Sequence, residues 1–88
     1  MIEESRLRRM HFRAWHRGTK EADLLVGGFF DRYATSWTGE QADWFETLME
    51  EQDVDIMAWA IGVAQVPAQF EGEMMQAMRR LDYIPIAR

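Results

Sequence analysis

With no cysteine in the chain, thiolate nucleophiles, disulfides and thiolate–metal sites are excluded. The side chains left for proton transfer, metal ligation or charge recognition are mainly two histidines, fifteen carboxylates and ten lysines and arginines. His11 and His16 stand five apart in a segment with helical spacing. They therefore point in different directions and cannot chelate a metal as an i, i+4 pair would. No His-Glu-x-x-His, glycine-rich phosphate loop or nucleophile elbow occurs. Most carboxylates fall at expected helix starts or on solvated faces. Neither catalysis nor a bound metal is expected, which leaves binding as the chemistry to account for.

The cations are unevenly placed. Residues 1–20 hold six basic and two acidic residues, a balance of +4; residues 21–88 hold four basic and thirteen acidic, a balance of −9. Arg6, Arg9, Arg13 and Arg17 lie near one side of the first helical segment. One reading is a small helical regulator that binds nucleic acid through this basic helix. The other is a solvated helix whose arginines pair with carboxylates elsewhere or with a protein partner. The overall charge of −5 disfavours the first, because phosphate binding draws on counterion release to an excess of cations.

The elements that must position these charges are all helical by periodicity. Leu7, Met10, Ala14 and Trp15 recur at helical steps within residues 3–17. Arg17-Gly18 then reads as a helix stop, with Glu21 and Asp23 in the first turn of the next helix, where negative charge suits the helix dipole. Ala22, Leu25, Phe29 and Tyr33 form its apolar face, and Gly27-Gly28 in its middle implies close approach of another backbone or of a bulky Trp. Thr38 and Gln41 make a capping box for a third helix carrying Trp44, Phe45, Leu48 and Met49. Asp53 is expected to cap a fourth, with Ile56, Met57, Trp59, Ala60 and Val63 on it and Gly62 near its end. Pro67 begins or just precedes a fifth, marked by Phe70, Met74, Ala77, Met78 and Leu81. Trp44 and Trp59 are expected in the core, Trp37 half exposed, and Trp15 at the wall of the corner. Residues 82–88, with Pro85, read as a tail.

Eighty-eight residues make one domain, 1–88, near the size at which a single core is just sufficient. The expected fold class is all-α, a compact bundle of five short helices. The longest nearly apolar stretch, 56–66, falls short of the roughly 20 residues a membrane span needs, and no apolar leader follows the acid-and-arginine start. A soluble, cytoplasmic protein without membrane insertion is expected.

Two segments resemble a known family. The run from Leu7 to Leu25, with Arg17-Gly18-Thr19-Lys20-Glu21 at its centre, is similar to the start of the succinate dehydrogenase assembly factors, whose hallmark is Arg-Gly-x-x-Glu. Asp53-Val54-Asp55-Ile56-Met57-Ala58-Trp59 resembles the family's second motif, and Val66-Pro67 before a last amphipathic helix also fits. The resemblance implies a chaperone-like assembly factor, not an enzyme. It would bind the flavoprotein subunit of succinate dehydrogenase, and related fumarate reductases, and promote covalent attachment of FAD to a histidine of that subunit. FAD would be the partner's cofactor, with none bound stably here and no nucleic acid as partner. By position, Arg17, Gly18 and Glu21 would form the partner contact, with Asp23, Asp55, Trp59, Arg9 and Arg13 beside or beneath it. The departures are His16, Phe12 and Ala22, where arginine, tyrosine and leucine are common, so no role for an Arg-Arg pair carries over.

Overall fold

Thr19 and Thr38 decide where two of the helices begin. The Thr19 hydroxyl accepts the Ala22 N–H at 3.1 Å, and Thr38 and Gln41 satisfy each other's backbone N–H groups at 3.2 and 2.9 Å. The capping box is thus present, whereas the start of the second helix falls to Thr19 rather than to Glu21. In the computed structural model, which describes residues 2–84, the elements run α1 (Glu4–Trp15), α2 (Lys20–Tyr33), a 3-10 turn (Ala34–Ser36), α3 (Gly39–Leu48), α4 (Asp53–Ile61), a second 3-10 turn (Ala68–Phe70) and α5 (Glu73–Arg79). No strand occurs among the described residues, and the five helices form one small all-α domain, as the periodicity implies.

The core is built from the faces read in the sequence. Met10 and Ala14 of α1, Val26 and Phe29 of α2, Phe45 and Leu48 of α3, Ile56 of α4, and Met75 and Met78 of α5 are fully or almost fully buried. Phe29 sits at the centre of an aromatic group, with ring centroids 5.0 Å from Tyr33, 5.4 Å from Tyr83, 5.8 Å from Trp37 and 6.0 Å from Phe45. Trp37 is therefore buried, not half exposed, because its ring fills the space between Phe29, Phe30 and Phe45.

The glycine pair has two separate causes. A Cβ at Gly27 would lie 2.3 Å from the indole of Trp15, and one at Gly28 would lie 3.2 Å from the backbone carbonyl of Tyr83. One glycine admits the Trp and the other the backbone, so α1 and the segment at Tyr83 both press onto α2.

Other expectations shift. Helix α1 stops at Trp15, two residues before Arg17, with His16 as its cap. Gln52, not Asp53, occupies the N-cap of α4, and Asp53 turns its carboxylate elsewhere. Gly62 ends α4 at φ +84°, as read, and leaves Val63 outside the helix and exposed. Pro67 leads into a 3-10 turn, and Gly72 at φ +135° separates that turn from α5, so the apolar pattern from Phe70 to Leu81 spans two elements. Asp82–Ile84 fold back instead of trailing away: Tyr33 donates to Asp82 at 3.0 Å and Tyr83 donates to the Met78 carbonyl at 2.7 Å. The rest of the expected tail, 85–88, lies outside the described residues.

Candidate functional site

The corner between α1 and α2 is closed by its own charges. Gly18 turns the chain at φ +123°, a conformation side chains strongly disfavour, and nothing lies within 4 Å of where its Cβ would be. Its need for glycine is therefore conformational, not steric. The Arg17 N–H donates to the Asp23 carboxylate at 2.6 Å, which bridges the corner to the first turn of α2.

The Arg17 side chain points inward. Its Nε donates to Asp53 at 2.8 Å and its Nη2 to the carbonyls of Met49 and Glu51 at 3.0 and 3.4 Å. Carbonyls at the end of a helix lack intrahelical partners, and a guanidinium with several donors satisfies them well. Arg17 thus ties together the end of α3, the α3–α4 connection and the start of α4, and only 10 % of its side chain remains exposed. Arg6 and Arg13, seven residues apart on the same flank of α1, reach α3 and the turn that follows it. Arg6 pairs with Asp43 and Glu46 at 2.6 Å, and Arg13 pairs with Glu50. Hydrogen bonds that Arg6 donates to Glu46 first, then to Asp43, raise its pKa further above its ordinary value.

What remains outward is short. Glu21 is exposed on the first turn of α2 and has no side-chain hydrogen bond or ion pair among the described residues. Arg9 and Asp55 are likewise exposed and unpaired among those residues. Trp59 is 7 % exposed, its ring 5.5 Å from Phe70 and its carbonyl accepting from Arg79 at 3.0 Å. Of the residues singled out from the sequence, then, Arg17 and Asp23 build the corner, Gly18 permits its turn and Arg13 braces it. Glu21, Arg9 and Asp55 face solvent, and Trp59 lies in the core.

Sequence reasoning overlooked the role of Asp53 as the acceptor for Arg17 and that of Thr19 as the cap. The seven- and four-residue spacing of Arg6, Arg13 and Arg17 was a visible signal for one charged flank. Its acidic counterpart, Asp43, Glu46, Glu50 and Asp53, is spaced along α3 and the start of α4 to match. No group of three or more potential metal ligands and no helix able to cross a membrane occurs among the described residues.

The described residues thus form an all-α module whose internal ion pairs hold one exposed corner in shape. Residues 8–82 match the family described as the flavinator of succinate dehydrogenase, and the chain belongs to that family. It is 36% identical over 74 residues to the FAD assembly factor SdhE of Acetobacter pasteurianus, covering 84% of this chain and 68% of that one. It is 32% identical over 78 residues to the mitochondrial succinate dehydrogenase assembly factor 2-B of Drosophila mojavensis, covering 86% and 50%. The mitochondrial succinate dehydrogenase assembly factor 2 of Dictyostelium discoideum is 31% identical over 78 residues, covering 89% and 55%. The chain thus spans about half the length of these mitochondrial relatives. No solved structure matches. Neither the comparisons nor the geometry supports nucleic-acid binding, since Arg6, Arg13 and Arg17 are engaged by the protein's own carboxylates.

Proposed function

We propose that this protein binds the flavoprotein subunit of succinate dehydrogenase, with related fumarate reductases as further clients, and promotes covalent attachment of FAD to a histidine of that subunit. The observation that carries this reading is the family match over residues 8–82, which takes in both the Arg17–Glu21 corner and the Asp53–Trp59 segment. The geometry of the corner supports this reading. Arg17, Gly18 and Asp23 hold the corner rigid, and Glu21 is the member of the hallmark left to meet the partner. Asp55, also exposed, is assigned to the same contact, and Trp59 supports it by keeping α4 packed.

Such a protein need supply no nucleophile. The flavin is linked by the client's own histidine, and the helper acts by preferring the linking-competent conformation of the client. A tenfold shift in that population needs a binding preference of about 1.4 kcal/mol, which a few contacts can provide. FAD stays the client's cofactor and is not held stably here. We assign the meeting to the cytoplasm, in keeping with a chain that lacks cysteine.

The test is covalent flavin on the denatured subunit, read by in-gel fluorescence at limiting FAD with and without this protein. More covalent flavin in its presence supports the proposal. Equal fluorescence in both lanes would sink it.

A further inference from the structure

Resting on the reading of this chain as a partner of a flavoprotein subunit, we propose that the outer face of α1 is a second contact, which takes an acidic segment of that subunit with an apolar side chain at its centre. The face adjoins the flank of α1 that Arg6, Arg13 and Arg17 turn toward α3 and α4, and Arg13 borders both. At its middle stands Phe12, 62% exposed on a domain with few large apolar side chains outside. A shallow open groove of about 470 Å³ runs across it, lined by Ser5, Arg8, Arg9, Phe12 and Arg13.

Two features make this more than one stray aromatic. The Phe12 ring stacks on the His16 imidazole, with centroids 3.9 Å apart and planes 17° from parallel. His16 Nδ1 lies 2.6 Å from the Phe12 carbonyl, which can only accept, so Nδ1 carries the hydrogen and the imidazole is fixed in place. An exposed ring held this way loses little freedom when a partner covers it. The second feature is charge. Arg9 has no ion-pair partner among the described residues, and Arg8 has only an exposed contact with Glu4 at 3.5 Å, the kind that yields readily. Arginines flanking an apolar ring call for carboxylates on either side of an apolar group. The same helix runs directly into the corner that carries Glu21, so one client surface can cover both.

The experiment is calorimetric titration of the purified flavoprotein subunit with the full-length protein at low and high salt. The variants are Phe12→Ser, Arg9→Glu and Glu21→Ala, each checked for native helicity. Phe12 and Arg9 are exposed, so both replacements should fold. The expected result is at least a tenfold loss of affinity for Phe12→Ser at both salt concentrations. For Arg9→Glu a comparable loss should appear at low salt and shrink at high salt. Wild-type affinity in both variants, with binding weakened only by Glu21→Ala, would overturn this inference and leave the proposed function standing. No binding by the wild-type protein would overturn both. Duplex DNA binding or self-association that Phe12→Ser or Arg9→Glu abolishes, with affinity for the subunit unchanged, would assign the face to another occupant and overturn it too.

Discussion

The guanidinium of Arg17 sits where the last carbonyls of the α3 end and the first carboxylate of α4 converge. Replacing it with alanine removes charge-assisted hydrogen bonds from a largely buried position, so Arg17→Ala should lower stability by about 2–3 kcal/mol in urea denaturation. Arg17→Lys should recover only part of this, because an ammonium cannot span the carboxylate and the carbonyls with a planar fork. Gly18→Ala should cost about 1 kcal/mol through backbone strain alone, as no atom blocks a side chain there. Glu21→Ala should leave stability within about 0.5 kcal/mol of wild type, as befits an exposed side chain without a partner. The three hallmark residues were legible in the sequence as a unit. The turn at Gly18 was legible too, but the inward, building role of Arg17 was not, since it depends on Asp53, 36 residues away along the chain.

Between elements, the packing of α1 on α2 hinges on Trp15 lying over Gly27. Gly27→Ala improves helix propensity by about 1 kcal/mol but drives a methyl to 2.3 Å from the indole. The indole and its helix must shift, which overpacking data put at about 1–3 kcal/mol. The net effect expected is a loss of stability, larger than for Gly28→Ala, where the nearest atom is 3.2 Å away. Thermal unfolding of the two variants decides the order, and a Gly27→Ala as stable as wild type would contradict the packing described. The glycine pair shows how far sequence reasoning reaches. Two costly residues in a helix announced a close approach, and the aromatic inventory suggested a Trp. Only the folded chain separates the Trp at Gly27 from the carbonyl at Gly28. The division of the last helix was hidden for a related reason: apolar spacing continues across Gly72, whose positive φ interrupts the backbone without interrupting the stripe.

For the molecule as a whole, the return of Asp82–Ile84 onto α2 completes the aromatic centre and sets a limit at high pH. Burial first, then the charges of Asp82 and Tyr33, push the Tyr83 phenol well above its ordinary value. The folded protein therefore keeps a proton that the unfolded chain releases from roughly pH 10 upward. The stabilisation is fully present below that pH and is lost as the pH rises toward the folded-state value. Tyr83→Phe should be about 1 kcal/mol less stable at neutral pH, from the lost bond to Met78, and should decline less steeply in alkali in denaturation series run across pH. Fold class was legible because helical periodicity and capping signals agreed along the chain. This terminal contact was not, because Pro85 and the charged end look like a stop and nothing local points to Gly28. We propose that a corner held by internal ion pairs, presenting Glu21, aids flavin attachment by binding. The most direct test is covalent flavin fluorescence of the denatured flavoprotein subunit after incubation with wild-type protein or with folded Glu21→Ala. Strong fluorescence is expected with wild type and a large drop with the variant at unchanged thermal stability. Equal fluorescence with both proteins would contradict it.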